Sequence, residues 1–275
     1  MTATAAPMFS HPAPPAGPVA ETRLVRRNYG RNHGYRIDGQ KVLGVTSVVG
    51  VLEKRALVQW AATQAAELAV NDWDRLAELP VADRLKELAS AHRRTVNRAA
   101  LRGTDIHAHA DRLVSGAETT VPDEIRGPVE AYARFLDAWQ IETIASETPV
   151  GHTGHGYAGT ADLWCRIGAR DNAAALLDVK TGKGVYDETG LQLAAYRYSE
   201  LMQPEKGSEI ATPAVDLVYV AHVLPDAVRM LPVAADPDVF RTFLYLLQVA
   251  KARADWEEWP LIGASVRPDE PEDYS

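Results

Sequence analysis

The spacing of apolar residues changes character near residue 140. Before it, apolar positions recur at helical intervals. Thr46 or Ser47 is placed to cap a helix, and alanine-rich apolar spacing runs on over residues 57–70. Pro80 suits the first position of another helix, followed by Leu85, Leu88, Ala89, Val96 and Ala99. Gly103 is expected to end it, Thr104 to restart one as far as Val114, and residues 124–139 to form one more. A hairpin is expected before these helices, with Tyr35 on one arm, Lys41 on the other and Gly39-Gln40 at the turn. Beyond Gln140 the pattern becomes strand-like at 141–150, 159–168, 173–180, 215–223 and 227–233, with helices at 188–201 and 237–259. These elements predict an α/β fold: a small mixed sheet flanked by helices, with an N-terminal helical elaboration.

Composition narrows the setting. The 275 residues suit one domain over 22–262, with a hairpin and mainly helical part over 22–140 and a sheet core over 141–262. The Ala/Pro-rich residues 1–21 and the acidic tail 263–275 are expected to be disordered. Cys165 is the single cysteine, which excludes a disulfide framework and any cluster needing several thiolates from this chain. No apolar run approaches a membrane span and no secretory signal opens the chain, so a cytoplasmic protein is expected. The formal net charge is −8, yet residues 84–102 carry a local balance of +5, and five arginines without an acid fall between Arg23 and Arg36. Two basic stretches in an acidic chain point to a polyanionic partner.

The candidate chemistry lies in Ala175-Leu-Leu-Asp178-Val-Lys180, a short apolar strand ending in an acid and a base. Strand alternation puts Asp178 and Lys180 on one face, with Ala175, Leu177 and Val179 on the other. Their backbone separation of about 6 to 7 Å is expected to keep them out of direct contact, so that they flank a third object. In Gly159-Thr-Ala-Asp162-Leu-Trp-Cys, Asp162 likewise stands opposite Leu163 and Cys165. Paired side by side, the two strands would bring two carboxylates and one lysine together. Converging carboxylates repel unless a cation lies between them, and magnesium, which needs few protein ligands, fits best. Gln192 and Tyr196, four apart, share a helix face that can look back at the strand ends.

The ordered set Gly103-Thr-Asp-Ile-His107, Glu147, Gly159-Thr-Ala-Asp162, Asp178-Val-Lys180 and Gln192-x-x-x-Tyr196 resembles the PD-(D/E)XK nuclease superfamily, in its RecB-like and Cas4-like exonuclease branch. The resemblance implies a restriction-endonuclease-like core and a metal-dependent deoxyribonuclease, an exonuclease acting at DNA ends in recombination, repair or phage DNA processing. It implies that His107, Asp162, Asp178 and the carbonyl of Val179 bind Mg²⁺ or Mn²⁺, that Lys180 is catalytic, and that Gln192 and Tyr196 position DNA or the lysine. Glu147 is carried over as a supporting or substrate-side group. The implied partners are DNA, single- or double-stranded, and a recombinase, single-strand-binding protein or helicase, with no membrane. Asp178 stands where this branch more often has Glu. With one cysteine, no iron–sulfur cluster is expected. Arg93, Arg94, Arg98 and Lys183 are the candidate DNA-backbone contacts, with Arg197 as a further one.

Two rivals remain at this stage: a catalytically silent module that binds DNA ends or a helicase partner on the same fold, and a zinc hydrolase built on His107, His109 and His222. Gly154-His-Gly156-Tyr-Ala-Gly159 matches a dinucleotide fingerprint, but a strand follows where a helix is required, so it is set aside. Trp164 shares the face of Asp162 and either meets a base or covers the sheet, and Cys165 reads as a core residue.

Overall fold

The computed structural model describes residues 23–29, 32–53, 55–114, 120–182, 184–205, 208–258 and 261–262. The expectations placed on 1–21, 263–275 and Lys183 lie outside these residues. Strands β1 (Leu24–Tyr29), β2 (Asn32–Ile37) and β3 (Gln40–Gly44) form an antiparallel meander. The β2–β3 turn is Asp38-Gly39, one residue earlier than expected. Both residues have positive φ (50° and 77°), the two-residue hairpin geometry that an Asp-Gly pair favours. Helix α1 (Val45–Val49) follows, its N-cap being Gly44 without a side-chain bond, so neither Thr46 nor Ser47 caps it.

Helices α2 (Arg55–Asn71), α3 (Trp73–Glu78), α4 (Val81–Val114) and α5 (Asp123–Trp139) make the helical half. The expected break at Gly103 does not occur, since α4 runs through it for 34 residues. A mid-helix glycine costs only about 1 kcal/mol, and Ile106, just beyond it, is anchored in the core. Then come β4 (Ile141–His152), β5 (Tyr157–Ile167), β6 (Ala173–Lys180), α6 (Glu188–Arg197), β7 (Leu201–Met202), β8 (Ile210–Ala211), β9 (Leu217–Val223), β10 (Val228–Pro232) and α7 (Pro237–Glu258). None of the described helices is long and apolar enough to cross a membrane.

Among the described residues, the ten strands join one mixed sheet flanked by helices. The N-terminal hairpin belongs to it, because β3 pairs parallel with β5 through Leu43 to Tyr157 and Gly44 to Ala158. Strand β5 pairs along its length with β4. On its other edge it pairs with β3 at residues 157–158 and with β6 from Leu163 to Ile167, leaving 159–162 without a ladder partner there. Strand β6 then runs parallel to β9.

Alternation along these strands builds two cores. Leu163, Cys165, Ile167, Ala175, Leu177, Val179, Ala221 and Val223 face Ile125, Val129, Tyr132 and Phe135 of α5, with Ile106 of α4. On the opposite face Trp164, Leu176, Val218 and Val220 pack under α1, α6 and α7 through Val48, Leu193, Tyr196, Phe243 and Leu247. Trp164 is therefore core, fully buried, and its indole N–H meets no acceptor among the described residues. Cys165 is core as well, and burial pushes its thiol up to about 12.

Candidate active site

The unpaired stretch of β5 is where polar side chains gather. The antiparallel register that sets Leu163 against Leu177 would, two residues on, set Ala161 against Val179. Instead the strands part, and the Val179 N–H donates to Asp162 Oδ2 at 2.7 Å. A carboxylate thus takes the place of a ladder carbonyl, keeping a buried amide satisfied while opening the strand pair. The N–H and C=O of one strand residue project to the same side, so the Val179 carbonyl faces the same opening.

Asp178 is buried, 1% exposed. Gln192 Nε2 donates to its Oδ1 at 3.1 Å and to the Tyr196 hydroxyl at 3.2 Å, so the helix face shared by these two residues does look back at the strand end. Tyr196 is buried, and its hydroxyl is held well above its ordinary pKa, first by burial and then by the charges of Asp162 and Asp178. The phenol stays neutral beside both carboxylates. Gly159 makes room for it: a Cβ there would lie 2.5 Å from Tyr196 Cε1.

Lys180 corrects one expectation. Its Nζ lies 2.6 Å from Asp178 Oδ2, in direct contact. Backbone separation along a strand does not bound side-chain separation, because a four-carbon stem on the same face can fold back along it. Lys180 pairs in register with His222 of β9. His222 Nε2 sits 2.8 Å from the Gly182 carbonyl, which makes that nitrogen a donor and ties down the chain just after Lys180.

Glu147 falls between Ser146 and Thr148, which face Leu163 and Ala161, so its ladder position is opposite Asp162. Its backbone is left-handed (φ 46°), a costly conformation for a side-chain-bearing residue, and the side chain is exposed. Its charge acts on His33 and Tyr35 of the hairpin. Tyr35 in turn shares a 2.8 Å hydrogen bond with Thr160 Oγ1, inside the open stretch of β5. Tyr35 and Thr160 were not singled out in the sequence. Only the hairpin's attachment to β5 brings them to the site, and no local pattern encodes that.

Asp162, Asp178, Val179, Lys180, Gln192 and Tyr196 are thus brought together, with Glu147 at the border. His107 lies in α4, but its side chain and that of Arg98 are outside the described residues. Arg93 and Arg94 lie on α4, roughly 18 to 20 Å along the helix axis from Ile106. Both are exposed, and Arg94 Nη2 is 3.3 Å from Glu87 Oε2. Arg197 is structural: its guanidinium donates to the carbonyls of Ala235 and Val215, each at 3.2 Å.

No group of three or more His, Cys, Asp or Glu side chains suited to a metal occurs among the described residues. What converges is two carboxylates and a backbone carbonyl, all hard oxygen donors, with one ammonium against two negative charges. That set fits Mg²⁺ or Mn²⁺, which take few protein ligands and keep their waters, and not a thiolate- or imidazole-rich zinc centre.

No family model matches the chain, and no curated protein matches it. Among solved structures it is similar to that of a protein designated SSO0001, at 13% identity over 77% of this chain and 75% of that one, with a TM-score of 0.35.

Proposed function

We propose that the chain is a Mg²⁺- or Mn²⁺-dependent deoxyribonuclease with a restriction-endonuclease-like core, acting as an exonuclease on DNA ends. The observation that carries this reading is the parting of β5 and β6. There Asp162 is fixed by the Val179 amide and Asp178 by Gln192, with Lys180 in contact with Asp178. Asp162, Asp178 and the Val179 carbonyl would hold the ion, with His107 from α4 as the further ligand the resemblance implies. When bound, the ion would lower the pKa of a water and offset phosphate charge.

The chain's own groups do the rest. Gln192 fixes the rotation of the Asp178 carboxylate, and the neutral Tyr196 hydroxyl steadies Gln192 from the buried side. Lys180, about a third exposed, can turn its Nζ from Asp178 to a phosphate oxygen, where charge builds as water attacks. Water's oxygen forms a new bond to phosphorus and gives up a proton to solvent as one P–O ester bond breaks, and the departing oxygen takes up one proton from solvent in return. Arg93, Arg94 and Arg98 on α4 are proposed backbone contacts, holding DNA without reading its sequence.

A specific observation favours a second reading. The closed Lys180–Asp178 pair is also what a silent DNA-end-binding module on this fold would show. One experiment separates the two. Purified protein is incubated with end-labelled linear, nicked and circular DNA, with and without Mg²⁺ or Mn²⁺. Shortening of linear DNA only with the ion, with closed circles spared, supports the exonuclease. Binding without cutting under every ion supports the silent module.

A further inference from the structure

We propose that Arg26 is a phosphate-binding residue of this site, its guanidinium holding a backbone phosphate of the DNA strand on the hairpin side of the carboxylates. This rests on the nucleic-acid part of the reading above and adds to it a residue and an orientation for the strand.

The hairpin register supplies the placement. Leu24 pairs with Ile37, Arg26 with Tyr35 and Asn28 with His33, so these six side chains share one face of the β1–β2 ribbon. The inner end of that face is closed: Leu24, Tyr35 and Ile37 are buried against Ala158 of β5. Tyr35 carries the row into the site through its bond to Thr160, which lies two residues before Asp162 and on the same face of β5. The open stretch 159–162 is flanked by the hairpin on one side and by β6, with Asp178 and Lys180, on the other. A strand lying across this opening would meet Lys180 at one border and Arg26 at the other.

The Nε of Arg26 is buried and unsatisfied among the described residues, while Arg23 and Arg36 of the same hairpin are engaged. Arg23 forms an ion pair with Asp38 at 2.8 Å, and Arg36 donates to the Gly39 carbonyl at 2.6 Å. The Nε of Arg26 is buried and meets no hydrogen-bond partner among the described residues. A buried, unsatisfied guanidinium N–H is costly, and a phosphate oxygen would satisfy it, since the planar guanidinium fork matches phosphate geometry. The charge of Arg26 is felt by both His33 and Tyr35, which places it over the same surface that Glu147 borders. Arg27, one residue on, points to the opposite face of the ribbon and provides an internal control.

The test uses full-length protein and a fluorescein-labelled linear DNA, with divalent ions left out so that nothing is cut. Affinity is followed by anisotropy across a salt series. Arg26→Met, which keeps most of the apolar stem, should bind more weakly and flatten the plot of log K against log salt by about 0.7 to 0.9, the share of one phosphate contact. Arg26→Lys should keep most of the parent slope, and Arg27→Gln all of it. An Arg26→Met slope equal to the parent's, or an Arg27→Gln slope that falls as far, overturns the assignment. Should Arg26→Met fail to melt cooperatively, the parent chain answers by itself: bound DNA should shield Arg26 from phenylglyoxal while Arg27 keeps reacting, and equal labelling of Arg26 with and without DNA overturns it. A parent that binds DNA with an Arg26-dependent slope but never cuts removes the nuclease reading and leaves the phosphate site standing. Cutting with an unchanged Arg26→Met slope removes only the phosphate site.

Discussion

The two faces of β5 and β6 are made by the same backbone, yet they do opposite work. Odd-numbered residues such as Leu163, Cys165, Leu177 and Val179 close against α5. Even-numbered Asp162, Asp178 and Lys180 stand one residue away on the other side, around an opening where the ladder stops. The lesson is that a site need not be placed on loops to be open. Here the face packed on α5 is apolar throughout, whereas the other face is apolar at Trp164 and Leu176 and turns polar at Asp162, Asp178 and Lys180, where pairing on one edge stops. Substitutions on the two faces should therefore separate chemistry from stability.

The largest effect is expected from Asp178→Asn, which keeps the shape and the Gln192 contact but removes the charge. Cleavage should fall to background and metal binding measured by calorimetry should be lost, while the melting midpoint stays near that of the parent. Lys180→Ala should come next, lowering the rate at saturating DNA by about 10² to 10³, as for loss of one transition-state donor. Its metal affinity should be nearly intact, and equal metal loss in both variants would erase the distinction between ligand and charge donor. Across the sheet, Leu177→Ala should cost about 2 to 5 kcal/mol in denaturant unfolding, with turnover per folded molecule unchanged.

Gly159→Ala tests the seam between the faces. The new methyl group would press on the Tyr196 ring, so a loss of about 1 to 3 kcal/mol should accompany reduced activity, and Tyr196→Leu in the same chain should recover the stability but not the activity. The smallest effect concerns Cys165, whose thiol is raised to about 12 by burial. A raised thiol favours the folded state below the unfolded value of 9.0 and loses that advantage as pH climbs from there towards about 12. At pH 8 the folded protein should therefore resist iodoacetamide and react on unfolding. Rapid labelling of the native chain would show that the apolar face is not closed.

Alternation made the two faces legible in the sequence, because a period of two is written into 161–167 and into the Leu177-Asp-Val-Lys180 end of β6, while 173–177 is apolar throughout. The helix-borne pair Gln192 and Tyr196 was legible for the same kind of reason, a fixed i,i+4 spacing. What escaped was everything set by pairing between distant segments. The attachment of β3 to β5 brings Tyr35 to Thr160, and nothing local in Tyr35-Arg-Ile-Asp announces it. The charge run over 84–102 does not show its own local partners: Arg84 donates to the carbonyls of Leu76, Ala77 and Leu79, and Glu87 is engaged by both Arg75 and Arg94. The Lys180–Asp178 contact escaped because side-chain reach, unlike backbone rise, is not fixed by sequence spacing.

The abrupt stop of the β5–β6 ladder at Leu163 and Leu177 bears on quality control as well as on chemistry. Slipping β6 by one residue would turn Leu177 and Val179 towards the opening and drive Asp178 into the hydrocarbon packed on α5. Because Ala174 to Leu177 are apolar on both faces, the cost of the slip falls on Asp178 and on the carboxylate pair. Specific activity in a preparation would then double as a census of molecules that have found the right alignment, and a misaligned fraction would be inert rather than promiscuous.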